Sequence, residues 1–115
     1  MDKKLTNNKK LNSLLPGIEK RIRELFGEKV LKIVLFGSYA RGDYNRESDV
    51  DIFVLVNDHD LSKYRRERVK IITEFLESQE ILISIRIINA ATFNKYKDYL
   101  PFYQNVILEG ISLYG

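Results

Sequence analysis

The sequence predicts one domain of mixed helix and strand structure, and three observations support this. The chain has 115 residues, the length of a single domain. Its 44% hydrophobic and 30% charged residues are typical of a globular protein and exclude a largely disordered chain. Short apolar runs rich in β-branched residues alternate with segments whose apolar residues recur at helical spacing. This alternation indicates an α/β or an α+β fold.

The N-terminal part of the chain divides into a polar segment and a helix. Residues 1–13 are polar and rich in Lys and Asn, and we expect a flexible basic segment ahead of a single domain at 14–115. Apolar residues then recur at helical spacing over 14–26, with Pro16 suited to the first turn and Gly27 to the C-cap. The first helix is therefore predicted to begin at residue 14.

The rest of the chain contains three strand-like apolar runs separated by helical or polar segments. A short segment at 111–114 is expected to form a terminal strand or to pack against the domain. The predicted strands are 30–36, 50–56 and 80–89, and the predicted helices are one turn at 38–41, the longest helix at 61–78 and a helix at 91–109 that Pro101 interrupts.

Charge and composition limit the function classes. The formal net charge is +3, and the first ten residues hold four lysines and one aspartate, so the remaining chain is neutral. A neutral body does not favour a nucleic-acid partner, although it leaves one open. The chain has no cysteine for a disulfide framework or a thiolate metal site. With neither a leader-like apolar segment nor a membrane-length apolar stretch, we expect a cytoplasmic protein without membrane association.

Two carboxylates stand at the start of the second predicted strand. Asp49 and Asp51 are two residues apart and share one face of a strand, about 6.5–7 Å from each other. They repel each other unless a cation lies between them, and Mg²⁺ suits such oxygen ligands. A pair of Mg²⁺ ions about 3.5–4 Å apart would also fit. The alternative is a pair of exposed carboxylates that cap nearby backbone N–H groups.

A Gly-Ser pair follows the first predicted strand and precedes a helical turn. Gly37 allows close approach of the backbone to a ligand, and the Ser38 hydroxyl and the following amides can donate to a phosphate. Arg41 lies three residues after Ser38, on the same side of the turn, where it can neutralise phosphate charge. The alternative is an ordinary strand-to-helix turn.

Together these two patterns resemble the signature of the DNA polymerase beta-type nucleotidyltransferases. More narrowly, they resemble the minimal nucleotidyltransferases (MNT), small domains with a GSxARG motif followed by SDxD. The C-terminal sequence PFYQNVILEGISLYG also resembles the end of these domains. The resemblance implies an α+β fold with a central mixed sheet of about three or four strands and helices mainly on one face. The matching positions are Gly37, Ser38, Ala40, Arg41, Gly42, Ser48, Asp49 and Asp51.

The resemblance implies Mg²⁺-dependent transfer of a nucleoside monophosphate from a nucleoside triphosphate, by default ATP, to a protein or RNA hydroxyl. Pyrophosphate is released, and the chemistry consists mainly of positioning and charge neutralisation. Asp49 and Asp51 would be the catalytic and metal-binding pair. The implied phosphate-binding residues are Gly37, Ser38, Arg41 and Ser48.

The resemblance also implies a third carboxylate on the next core strand, and here the sequence departs from the pattern. The strand predicted at 80–89 has Ser84 and Arg86 in the middle of its more polar face. A serine is a poor metal ligand, and an arginine repels a second metal ion. Glu80, at the start of that strand, is the remaining candidate. Nucleotide binding is therefore better supported than turnover.

Two functions of different classes remain open. MNT proteins commonly pair with a small helical HEPN protein as the antitoxin of a toxin–antitoxin system, and they can transfer AMP to a tyrosine of the toxin. The resemblance thus implies an antitoxin enzyme with a HEPN-type partner. The alternative is a catalytically weakened binding module that neutralises its partner by contact alone. A homo-oligomer is left open.

Overall fold

A four-stranded mixed β-sheet forms the centre of the protein in a computed structural model, which describes residues 6–115. The strand order is β3-β2-β1-β4; β2 and β3 are parallel, and the other neighbours are antiparallel. This confirms the predicted mixed sheet. The strands are β1 (Val30–Phe36), β2 (Val50–Val56), β3 (Ile83–Asn89) and β4 (Ile111–Tyr114).

The two long helices cover one face of this sheet and two shorter ones pack on the other, so the expectation that the helices lie mainly on one face is wrong. None of the helices within residues 6–115 combines the length and apolar character needed to cross a bilayer. The helices are α1 (Lys9–Phe26), α2 (Ser38–Arg41), α3 (Arg65–Gln79), α4 (Ala90–Tyr96) and α5 (Pro101–Glu109), with one 3-10 turn at Ser62–Tyr64 before α3.

Strand β2 is buried on both faces, which explains its nearly continuous apolar sequence. Ile52 and Val54 belong to the core formed with α1 and α3. Phe53 and Leu55 point to the opposite face and pack with α4 and α5. Because side chains alternate along a strand, Asp51 lies on the Phe53 face, at the end of the second core.

Helix α1 begins at Lys9, so the prediction that it starts at residue 14 is wrong. The Asn8 side chain caps it by accepting a hydrogen bond from the Leu11 amide at 2.9 Å. Leu11 is only 3% exposed and extends the apolar face of the helix. Residues 9–13 are therefore helical rather than a flexible segment, and residues 1–5 lie outside the described part. Pro16 lies inside α1 and not in its first turn.

Two further boundaries differ from the sequence predictions. The segment predicted as the longest helix opens with the 3-10 turn, so α3 has 15 residues and α1, with 18, is longer. The third strand begins at Ile83 and not at residue 80. Glu80 has a left-handed backbone, with φ of 57°, and caps the C-terminus of α3. Its conformation removes it from the strand.

A buried carboxylate joins the C-terminal ends of β2 and β3 to the start of α3. Asp58 accepts hydrogen bonds from the Tyr64 hydroxyl at 2.7 Å and from Lys63 Nζ at 2.6 Å. Its backbone carbonyl accepts from the side chain of Asn89. The Lys63 contact, followed by that of Tyr64, holds the pKa of the Asp58 carboxyl well below its usual range. Nothing in the sequence analysis identified this cluster.

We expect Asp58→Asn to destabilise the protein at neutral pH. A carboxylate whose pKa is lowered by folding contributes stability that is fully present above about pH 4 and is lost as the pH falls further. The difference in melting temperature between wild type and variant should therefore shrink on acidification. Tyr64→Phe should cost about 1 kcal/mol, because it removes one donor and leaves Lys63 in place. A constant difference between pH 7 and pH 3 would contradict this.

Candidate active site

An open cleft of about 330 Å³ lies at the edge of the sheet where β1 ends and β2 begins. These two strands are antiparallel, and Phe36 at the end of β1 pairs with Asp51. The register therefore brings the Gly-Ser turn, which follows β1, against the carboxylates that open β2. The cleft is lined by Phe36, Gly37, Ser38, Arg41, Asp51, Phe102, Asn105 and Glu109.

Gly37 is fixed at its position by two separate constraints. Its backbone has φ of 77° and ψ of −156°, a region that essentially only glycine occupies. A Cβ added there would collide with Oδ2 of Asp51. The carbonyl of Gly37 accepts hydrogen bonds from the amides of Ala40 and Arg41, both at 3.1 Å, which closes the turn of α2. The backbone at Gly37 thus lies so near the Asp51 carboxylate that no side chain fits between them.

Asp51 is a half-buried carboxylate, and the positive charge around it does not offset the cost of ionising it. Burial raises its pKa most, and repulsion by Asp49 raises it further. The guanidinium groups of Arg86 and Arg41 act in the opposite direction without cancelling these effects. Asp49 precedes β2 directly, so alternation places it on the same face as Asp51. A cation bound beside the two carboxylates would therefore relieve their repulsion.

The two other predicted phosphate contacts differ in their placement. Arg41 lines the cleft, where it contacts Asp43 at 3.2 Å and Glu109 at 3.5 Å. A phosphate would compete with these exposed carboxylates for its guanidinium. Ser48 lies outside the cleft lining, and its hydroxyl accepts a hydrogen bond from the Asn45 amide at 2.9 Å. The geometry gives Ser48 a role in closing the loop between α2 and β2.

The strand next to the carboxylates carries no acidic side chain. Ser84 is the direct neighbour of Asp51 in the parallel pair, and Arg86 is the neighbour of Phe53. The Arg86 guanidinium lies over the ring of Phe102, with Cζ 4.8 Å from the ring centroid. Glu80, as the cap of α3, is not part of this strand. Of the three candidates for the third position, Ser84 and Arg86 occupy the strand and Glu80 does not.

Helix α5 supplies a wall of the cleft that the sequence analysis missed. Phe102, Asn105 and Glu109 follow one another at helical spacing and line the cleft. Tyr103 and Val106, on the neighbouring face, are buried in the core. The spacing of Asn105 and Glu109 in the sequence indicates a polar face on this helix. The sequence does not show that this face lies at the cleft; the pairing of β4, which follows α5, with β1 brings the helix there.

Asp49 and Asp51 fit one Mg²⁺ ion by their chemistry, since Mg²⁺ is commonly held by one or two carboxylates, with water and substrate phosphates completing its octahedral shell. Within residues 6–115, no group of three His, Cys, Asp or Glu side chains is arranged to hold a metal ion. The protein therefore contributes only part of a coordination shell, and the nucleotide would have to supply oxygen ligands.

A Gly-Ser turn set against strand-borne carboxylates is the arrangement that the sequence motifs predicted for a nucleotidyltransferase. The chain matches the family model of the nucleotidyltransferase domain over residues 15–113 and belongs to that family. A relative from Methanocaldococcus jannaschii named as a protein adenylyltransferase is 36% identical over 93 residues, which cover 81% of this chain and 87% of the relative. The resemblance drawn from the motifs is thus confirmed.

Solved structures with the same fold come from toxin–antitoxin complexes. One, a toxin–antitoxin with AMP-PNP, has a TM-score of 0.58 at 25% identity and covers 88% of this chain and 73% of its own. Another is a Shewanella oneidensis complex of a tri-AMPylated HEPN toxin with an MNT antitoxin. It has a TM-score of 0.53 at 23% identity, with 90% of this chain and 71% of its own covered. This second likeness shows the fold alone.

We expect Gly37→Ala to disable the site. The left-handed backbone should cost about 1–3 kcal/mol, and the added Cβ must displace the Asp51 carboxylate. Nucleotide binding, measured by calorimetry, should be lost at temperatures where the variant is still folded. Gly17→Ala is the matched control, because that glycine lies inside α1 with open space around it and should tolerate alanine. Undiminished binding by Gly37→Ala would contradict the close contact.

We expect Asp51→Asn to stabilise the metal-free protein. A carboxylate whose pKa is raised by folding carries a cost that builds up above about pH 4 and is full at neutral pH. In EDTA at pH 7 the variant should therefore melt above wild type, and the two should converge on acidification. A lower melting temperature at pH 7 would show that Asp51 is compensated within the protein.

Proposed function

We propose that the protein is an Mg²⁺-dependent adenylyltransferase that modifies a hydroxyl of a protein partner, as the antitoxin of an MNT/HEPN pair. The observation that carries the proposal is the close approach of the Gly37 turn to the Asp51 carboxylate, which leaves no room for a side chain and sets a candidate phosphate-binding turn beside a candidate metal-binding pair. Support for a protein acceptor comes from the relative named as a protein adenylyltransferase, and support for the antitoxin role comes from the likeness to the toxin–antitoxin with AMP-PNP.

Each part of the cleft has a chemical task in this proposal. The Ser38 hydroxyl and the backbone of the α2 turn bind the β- and γ-phosphates, and Arg41 adds positive charge. Asp49 and Asp51 would hold Mg²⁺, which when bound would neutralise charge on the triphosphate. The acceptor oxygen attacks the α-phosphorus, and the bond from that phosphorus to the bridging oxygen breaks. Pyrophosphate leaves with the electron pair, and the hydroxyl proton passes to water or to a carboxylate.

The surface around the cleft is suited to contact with a protein acceptor. Helix α5 and the turn before it expose apolar side chains beside the lining residues, with Tyr99 77% exposed and Leu108 78% exposed. Apolar residues at such exposure are suited to contact with another protein. A partner seated there could bring its hydroxyl to the open side of the cleft. We place this reaction in the cytoplasm, where ATP and Mg²⁺ are available.

A second candidate function is a binding module that neutralises a partner by contact alone. The observation in its favour is the absence of a carboxylate from β3, where Ser84 lies beside Asp51. Against it stand the retained Gly37-Ser38 turn and the pair of aspartates, which a protein acting only by contact would not need.

Label transfer distinguishes these two functions. The purified protein is incubated with Mg²⁺ and α-phosphate-labelled ATP in a lysate of its source organism, and the products are treated with protease or ribonuclease. We expect a protease-sensitive labelled band that the Asp49→Asn/Asp51→Asn variant reduces by at least about 100-fold. Asp98→Asn, an exposed carboxylate after α4, is the matched control and should label as wild type does.

The other outcomes assign the function differently. A ribonuclease-sensitive band would make the acceptor an RNA. No label from folded protein at saturating ATP would support the contact-only module. Labelling that survives loss of both aspartates would overturn the site itself.

A further inference from the structure

On the sheet face that carries Asp51, strand β3 presents an arginine where a third carboxylate would otherwise complete a metal site. Neighbouring parallel strands lie about 4.8 Å apart, and paired residues point to the same face. The β3 side chain beside Asp51 is therefore the hydroxyl of Ser84, and the next one on that face is the guanidinium of Arg86. Neither can act as an anionic metal ligand.

The Arg86 side chain packs beside the cleft on an aromatic ring rather than on an acidic partner. Its guanidinium lies over the ring of Phe102, which itself lines the cleft. Among residues 6–115 it forms no ion pair with a carboxylate. Its charge acts on Asp51, whose pKa it lowers more than Arg41 does. The guanidinium is thus an exposed cation on the Asp51 side of the sheet, where it is available to an anionic ligand.

The charges of the site favour one bound metal ion over two. Two divalent cations beside Asp49 and Asp51 would leave the protein groups strongly positive before any nucleotide arrived, and Arg86 would repel the second ion. One divalent cation balances the two aspartates. Arg86 then remains to contact the triphosphate, as an arginine can do with two parallel hydrogen bonds.

We propose that this site takes one divalent cation and that the guanidinium of Arg86 replaces the second as a permanent positive charge on the nucleotide phosphates. The geometry that carries this is the register of β3 against β2 together with the stacking of Arg86 on Phe102. The inference rests on the proposed function, because it assumes that a nucleoside triphosphate binds in this cleft.

Metal stoichiometry tests the proposal without relying on turnover. The full chain is titrated with Mn²⁺ in the presence of α,β-methylene ATP, whose α–β bridge cannot be cleaved, and free Mn²⁺ is followed by electron paramagnetic resonance. We expect one Mn²⁺ per chain for wild type. The Ser84→Asp/Arg86→Met variant, which adds a carboxylate and removes the guanidinium, should bind two.

The affinity for the nucleotide analogue tests the role of the guanidinium itself. In saturating Mn²⁺, Arg86→Met should weaken binding of the analogue by about tenfold or more, because it removes a charge-assisted contact. Arg86→Lys keeps the charge and should recover part of this loss. Arg66→Met is the matched control, since Arg66 is an exposed arginine of α3 and should leave affinity unchanged.

Each remaining outcome decides against the proposal. Two Mn²⁺ per wild-type chain, or unchanged affinity in Arg86→Met, would overturn the one-cation site while leaving the proposed function in place. Folded wild-type protein that binds neither Mn²⁺ nor the analogue would overturn the proposed function, and this inference with it.

Discussion

The antiparallel register between β1 and β2 is the constraint on which the site depends. It pairs Phe36 with Asp51 and so sets the end of one strand against the start of the next. The turn at Gly37 then has no room for a side chain, because the carboxylate of Asp51 occupies that space. A shift of one residue would turn Asp51 into the α1–α3 core and Ile52 into the cleft. The buried alternation of β2 therefore fixes the chemistry as well as the fold.

The same arrangement separates the part of the molecule that supplies stability from the part that carries charge. The core on the α1–α3 face contains fully buried side chains such as Ile18, Ile33 and Ile71 and no group that the reaction needs. Asp51 lies on the other face, where burial raises its pKa and makes its charge unfavourable for folding. The large apolar core offsets this cost, so the fold tolerates the charge of Asp51 at the cleft.

What the sequence could predict follows from how local each feature is. The bounds of β1, α2 and β2 depend on short-range pattern and turn chemistry, and they agree with the structure. The start of α1 depends on the burial of Leu11 by distant residues, and the left-handed Glu80 depends on how α3 meets β3. Motif spacing found the aspartates and the Gly-Ser turn. It could not find the α5 wall, because only tertiary folding brings α5 to the cleft.

Strand β3 carries no acidic side chain and carries Arg86 instead. Both features make the site less negative. A site with two aspartates and a fixed guanidinium binds metal weakly by itself, since it offers few ligands and some repulsion. A nucleotide that arrives already bound to Mg²⁺ brings the missing oxygen ligands, and its extra negative charge meets Arg86 and Arg41. On the one-cation proposal, metal and nucleotide therefore bind together, and the empty cleft has little affinity for either alone. Occupancy of the site then follows the concentration of the nucleotide–metal complex and not that of free Mg²⁺.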